Sequence, residues 1–154
     1  MLPFKLRYLA ALRDRRGRAD DGRADDGLAA AGRDVWGWLA DPAHRPLLAL
    51  WVEGYARSLL GEPGPWADFG RDTVTDWLAL LAGRQAGRPG AAPDSGQDGA
   101  PDSAPDSAAA EAGRTLLLAV LRGALLDLLA TGETERVTRA VHQYLRALDA
   151  ARDL

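Results

Sequence analysis

The chain has 154 residues, of which 47% are hydrophobic and 27% charged, the balance of one globular domain. Its formal net charge is −3. A module that binds DNA alone is usually basic, because contacts with phosphates supply most of its non-specific affinity. The chain has no cysteine, which excludes disulfides, thiolate metal sites and a cysteine nucleophile. This composition fits a reducing cytoplasm, where we expect the protein to reside.

The chain shows neither a secretory signal nor a membrane span. Near the N-terminus, Lys5, Arg7 and Arg13 interrupt the apolar residues. The most apolar stretch, 116–130, is shorter than the about 20 residues that a membrane helix needs. We therefore expect no membrane association.

Two segments of low complexity divide the single domain that we predict over 1–154. The first repeats Gly-Arg-Ala-Asp-Asp in tandem, and the second contains Ala-Pro-Asp-Ser three times. Neither segment has enough large apolar side chains to offset the entropy of ordering. We predict disordered surface loops at 17–27 and 83–109.

The remaining segments show helical periodicity and no period-two alternation, so we predict an all-α fold without a sheet. Asp41-Pro42 is a helix-start signal, and Gly132 suits the left-handed position after a helix end. About six helices are predicted, over 2–16, 28–40, 46–60, from 66 or 68 to 82, over 111–130, and from 133 or 134 to 152.

The predicted helix 111–130 is apolar on nearly every side, so it must be buried all round. A two-fold contact, in which the last two helices of each subunit form a four-helix bundle, would cover it. Intramolecular core packing is the alternative for the same residues. The predicted homodimer interface consists of Leu117, Leu121, Gly123, Leu128, Val141, Tyr144, Leu145 and Leu148.

The same region carries a family resemblance. An Arg122-Gly123 pair, then Leu-Asp-Leu-Leu at 126–129, then Thr131-Gly132-Glu133 and a final amphipathic helix resemble the end of TetR-family C-terminal domains. A second patch, 38–48, resembles the family's connection into its central ligand-domain helix. The resemblance extends over about 28–149 and implies a TetR C-terminal-like fold with a dimer interface on the last two helices.

The resemblance also implies a ligand cavity. Trp51, Tyr55, Phe69 and Trp77 lie on helices that surround the cavity in this family, so they are the candidate pocket residues. An apolar pocket with a few polar groups fits a small hydrophobic or aromatic effector. Plain core packing is the alternative, because aromatic residues at helical spacing usually belong to the core.

The N-terminus departs from the family pattern. Residues 2–9 resemble the end of the family's three-helix DNA-binding unit, and no helix-turn-helix precedes them. A start assigned too late, a lost 5′ end and a protein that works without DNA contacts are all compatible with this departure. We expect DNA binding only if a helix-turn-helix is encoded upstream or supplied by a partner.

Other candidate sites are weaker. Arg122 and Asp127 interrupt the apolar helix and are predicted at its solvent boundary, with a partner across the dimer or a place in the pocket as alternatives. His44 and His142 have no further ligand at metal spacing, so we expect neither a metal site nor a cofactor. No serine lies in a Gly-x-Ser-x-Gly elbow, and we expect no enzyme.

Two functions remain from this reasoning. The first is the ligand-sensing and dimerisation domain of a TetR-type transcription regulator, without its own DNA-binding head. The alternative is a headless helical adaptor, or a dominant-negative partner, that dimerises without binding ligand or DNA.

Overall fold

A computed structural model describes residues 27–86 and 103–151 of the chain, and these residues form helices without a strand. The all-α prediction is therefore confirmed for the described residues. The predicted helix over 2–16 and nearly all of the predicted loop over 17–27 lie outside them. The helices are α1 (Leu28–Leu39), a short 3₁₀ helix (Pro42–His44), α2 (Arg45–Leu59), α3 (Phe69–Ala86), α4 (Ser103–Thr131) and α5 (Thr134–Ala150). None of the described helices is both long enough and apolar enough to span a bilayer.

Helix α1 lies at the centre of the bundle and contacts α3, α4 and α5. Its Trp36 is only 1% exposed and donates its indole N–H to the Thr138 hydroxyl of α5, at 3.1 Å. Arg33 of α1 pairs with Asp149 near the other end of α5. Two polar bridges thus hold α5 along α1, in addition to the apolar contacts between them.

Gly32 sets how closely α1 approaches its neighbours. A Cβ at this position would lie 2.6 Å from the Leu145 Cδ2 atom and 3.1 Å from Leu117 Cδ1. Both leucines are fully buried and have little room to move. The missing side chain therefore lets α1 pack against α4 and α5 together.

A short turn reverses the chain between α4 and α5. Gly132 has φ of +74°, the left-handed conformation that was predicted for it. The Thr131 hydroxyl donates to the Asp127 carbonyl and accepts the Glu133 backbone N–H, at 2.8 and 3.2 Å. The hydrogen bonds of the Thr131 hydroxyl therefore stabilise the end of α4 and the start of α5.

The connection from α1 to α2 is equally local. The Asp41 carboxylate accepts the Ala43 backbone N–H at 2.9 Å and caps the 3₁₀ turn. The His44 ring stacks on Trp38 with centroids 4.2 Å apart, and its Nδ1 lies 2.8 Å from the Trp38 carbonyl oxygen. This histidine therefore belongs to the turn for which Asp41-Pro42 is the start signal.

The helices around the second low-complexity segment are longer than predicted. Helix α3 continues to Ala86, and α4 begins at Ser103 instead of Glu111. The predicted loop over 83–109 therefore includes helical residues at both ends, and 87–102 lie outside the described part. Alanines at 108–110 and 112 have the highest helix propensity, and Pro105 is tolerated in a first turn, so local preference extends α4.

Candidate functional site: an aromatic cleft and the outer face of α4

A narrow cleft lies where α1, α2 and α3 meet α4. Trp51 comes from α2 and Trp77 from α3, and α4 supplies Arg122 as the one charged group in its lining. The floor is apolar because α1 and α4 present leucines to it. The lining consists of Leu39, Leu48, Trp51, Trp77, Leu118, Leu121, Arg122 and Leu125.

Arg122 turns from α4 toward α2. Its guanidinium donates to the Tyr55 hydroxyl at 2.8 Å and lies 5.9 Å from the centre of the same ring. Among the described residues no carboxylate forms an ion pair with it. The structure places Arg122 in the cleft lining, which was one of the alternatives to a position at the solvent boundary. The cleft thus has a half-buried positive charge whose protein partner is a neutral hydroxyl.

Trp51 adds a donor that has no acceptor. The residue is 6% exposed, and its indole Nε1 is buried without a hydrogen-bond acceptor among the described residues. Its ring stacks on Tyr55 with centroids 5.1 Å apart and planes 27° from parallel. A buried N–H group without an acceptor costs about 1–3 kcal/mol, so an acceptor placed here would bind favourably.

The cleft is closed in this structure. Its cavity volume is about 10 Å³, which is close to the least that holds one water molecule. Cavities for drug-sized ligands are roughly 300–1,000 Å³. A ligand larger than water would therefore need side chains of the cleft, or a helix that carries them, to move.

The predicted pocket residues divide into three groups. Trp51 and Trp77 line the cleft, and Tyr55 borders it through Arg122. Phe69 instead meets Trp66 edge to face, with ring centres 5.3 Å apart, outside the lining. The lining residues that the sequence analysis did not name as candidates are Leu39, Leu48, Leu118 and Leu125, which look like any other core leucine in the sequence.

The predicted interface residues also divide. Leu117, Leu121, Leu128, Val141 and Leu145 are at most 2% exposed within one chain, so they correspond to the alternative of intramolecular core packing. A side chain without exposed surface has none left for a second copy. Gly123 is exposed, and Tyr144 and Leu148 are partly buried against the core. For these three the interface stays a prediction.

Burial affects the phenol group of Tyr144 on α5. The Tyr144 hydroxyl is buried without a hydrogen-bond partner among the described residues. Removal from water disfavours the charged phenolate, which raises the pKa of Tyr144 above its usual value.

The charges on the turn between α4 and α5 are paired with each other. Arg136 donates to both oxygens of the Asp127 carboxylate, at 2.8 and 2.9 Å, and to Glu133 at 2.5 Å. The bonds to Asp127, and then the bond to Glu133, raise the pKa of Arg136 above its usual range. Asp127 thus lies at the solvent boundary, as predicted, and it links α4 to α5.

An open depression of about 470 Å³ follows the start of α5. Glu133, Glu135, Arg136 and Arg139 line it, so charges of both signs face the same solvent. Nothing in this arrangement selects one class of ligand, and we assign no site here.

Comparison with known proteins gives no assignment. No protein-family model, curated protein or solved structure matches this chain.

Proposed function

We propose that this chain is the ligand-sensing and dimerisation domain of a TetR-type transcription regulator. The observation that carries the proposal is Arg122 in the wall of an aromatic cleft. Arg122 is partly removed from water, and Tyr55 compensates its charge only with a neutral oxygen. An anionic ligand would supply the missing charge.

The donors and walls of the cleft indicate the class of ligand. Arg122 would bind a carboxylate or sulfonate, and the Trp51 N–H would donate to a second oxygen. The indole rings of Trp51 and Trp77 would pack on an apolar planar body. The expected effector is a small aromatic anion, which is a narrower class than the sequence predicts.

The closed cleft suggests how binding becomes a signal. A ligand that fits only an opened cleft binds one conformation of the domain and therefore shifts the population toward it. Helices α3 and α4 carry the cleft walls, and α4 also carries the predicted dimer contact. In such a regulator, opening of the cleft would change the orientation of the two subunits relative to each other. The spacing of their DNA-reading units would change with it.

The test is a titration with anilinonaphthalene sulfonate, a dye with aromatic rings and one sulfonate. We expect saturable binding to the unaltered chain and a loss of at least about tenfold in affinity for Arg122→Ala. Arg139→Ala is the matched control, since Arg139 is an exposed arginine of α5 outside the cleft. The control should bind the dye like the unaltered chain.

The alternative function is a helical adaptor that dimerises without a ligand. The observation that favours it is the cavity volume of about 10 Å³, which leaves no room for an effector in this conformation. The same titration separates the two functions. Dye binding that does not saturate, or that is equal in Arg122→Ala and Arg139→Ala, would favour the adaptor.

A further inference from the structure

One outward stripe of α4 is apolar from Ala112 to Ala130. Six successive outward positions, spaced alternately by four and three residues, carry only alanine, leucine or glycine, and all six are exposed. Leu116 and Leu126 keep 56% and 49% of their surface exposed. We call this set the α4 stripe; it consists of Ala112, Leu116, Ala119, Gly123, Leu126 and Ala130.

The exposed face of the neighbouring helix α5 is polar, with Glu135, Arg139 and Arg146 among its outward positions. Helix α2 exposes Leu50 and Leu59 together with Glu53 and Arg57, so its outer face is mixed. A helix face in water normally carries polar or charged residues. The α4 stripe has no charge over six positions, about 27 Å of helix at the usual rise. The contrast with α5 and with the mixed face of α2 indicates a surface that is covered by another helix.

The spacing and the order of sizes point to the covering partner. Alternating steps of four and three give the period of 3.5 that two packed helices share. Read from either end, the stripe runs small, large, small, small, large, small. An antiparallel copy of the same helix would therefore place Leu116 beside Leu126 of the partner subunit, and Ala119 beside Gly123 of the partner subunit.

The centre of the stripe allows close approach. A Cβ built on Gly123 meets no atom within 4 Å among the described residues, and Ala119 adds only a methyl group. Small residues at the two-fold axis bring helix backbones together, while the leucines on either side fill the space beyond them. The contact is self-complementary, as a two-fold axis requires.

The area of contact requires a second helix. A strip about 27 Å long and 10 Å wide covers roughly 270 Å², less than the about 800 Å² per partner of a stable interface. Helix α5 extends it on one side. Arg136 reaches Asp127 of α4, so Ala140, Gln143 and Ala147, which are exposed and follow on the same flank of α5, lie beside the stripe and add two small apolar side chains to it.

We propose that a second copy of this chain docks on the α4 stripe, with the two α4 helices antiparallel and the two-fold axis between Ala119 and Gly123. This proposal rests on the dimerisation part of the proposed function and not on ligand sensing. It keeps Gly123 of the interface predicted from sequence and replaces Leu117, Leu121 and Leu128 with residues on the opposite face of α4.

The first experiment measures the dimer by sedimentation. Gly123→Arg places a long charged side chain on the stripe, and we expect the dissociation constant of the dimer to rise at least about tenfold. Gly83→Arg is the matched control, because Gly83 is also an exposed helical glycine with no atom within 4 Å of a built Cβ. Circular dichroism checks that both variants keep their helices. A monomeric unaltered chain, or equal weakening by the two variants, would overturn the proposal.

The second experiment tests the register, using the absence of cysteine in the natural chain. Leu116→Cys and Leu126→Cys, co-expressed with different tags and mildly oxidised, should form a disulfide between the two chains. Each variant alone should not, since like positions lie about 15 Å apart along an antiparallel pair, beyond the reach of a disulfide. Leu116→Cys with Leu60→Cys, an exposed position at the end of α2, is the control.

The outcomes separate this proposal from the proposed function. Cross-linking of each single variant with itself would show a parallel pair and overturn the register. A dimer that resists Gly123→Arg and forms no 116–126 disulfide would overturn the α4 stripe, while leaving a dimeric ligand-binding domain intact. Dye binding by a monomer would retain ligand sensing and contradict the dimer.

Discussion

Two buried tryptophans differ in whether the indole N–H group has a hydrogen-bond acceptor. The indole N–H of Trp36 has the Thr138 hydroxyl at 3.1 Å, whereas that of Trp51 has no acceptor among the described residues. The first pair joins α1 to α5. The second belongs to a side chain that lines the cleft, and its N–H group is buried without a partner among the described residues.

The bond between Trp36 and Thr138 gives a prediction at the scale of the residue. Thr138→Val keeps the shape of the side chain but removes the acceptor, and Trp36 is too buried to recruit water easily. We expect the free energy of unfolding to fall by about 1–2 kcal/mol, measured by urea denaturation. Thr115→Val, at an exposed position of α4, should change it by less than about 0.5 kcal/mol. Equal effects would contradict a specific role for this bond.

At the scale of the element, α4 and α5 differ in how well the sequence pattern predicts which face of the helix is buried. Helix α5 alternates apolar and charged residues at helical spacing, so its pattern predicts one apolar stripe, and the structure buries Val137, Val141 and Leu145 on it. Helix α4 is apolar nearly everywhere. Periodicity therefore could not tell the buried Leu117 from the exposed Leu116.

Gly32 supports a prediction about how the helices approach each other. Gly32→Ala gains about 1 kcal/mol of helix propensity, but its methyl group would overlap the buried Leu145 and Leu117 side chains, which costs about 1–3 kcal/mol. We expect a net loss of about 1 kcal/mol in thermal or urea unfolding. Gly83→Ala, in open space, should instead stabilise the protein. Stabilisation by both substitutions would mean that α1 does not approach α4 and α5 so closely.

At the scale of the whole molecule, the buried Tyr144 phenol links stability to pH. Burial raises the pKa of Tyr144 in the folded chain above its usual value of about 10. Above that pH the unfolded chain loses its phenol proton while the folded chain retains it. The unfolded state is therefore favoured, and stability falls as the pH rises from about 10 through the folded pKa.

We expect the melting temperature to fall above pH 10, and to fall less in Tyr144→Phe than in the unaltered chain. Tyr55→Phe, which leaves the Tyr144 phenol in place, should follow the unaltered chain. Calorimetry across this pH range measures the difference. Parallel curves for all three proteins would show that the Tyr144 phenol is ionised as easily in the folded chain as in the unfolded one.

The sequence by itself determined the features that depend on neighbouring residues. The helical class, the left-handed Gly132, the helix-start turn at Asp41-Pro42 and the apolar stripe of α5 all follow from local periodicity and turn chemistry. Helix ends beside the second low-complexity segment were misplaced, because alanine-rich propensity extended α4 further than its apolar pattern did.

Only the tertiary structure decided the features that join distant segments. Arg122 meets Tyr55 across 67 positions, a contact that no local pattern encodes. The structure also showed that the cleft is closed to about 10 Å³ and that α4 buries Leu121 while exposing Leu126. Periodicity identifies a face only where apolar and polar residues alternate. In a uniformly apolar helix, the inward face is chosen by how its leucines pack against the other helices.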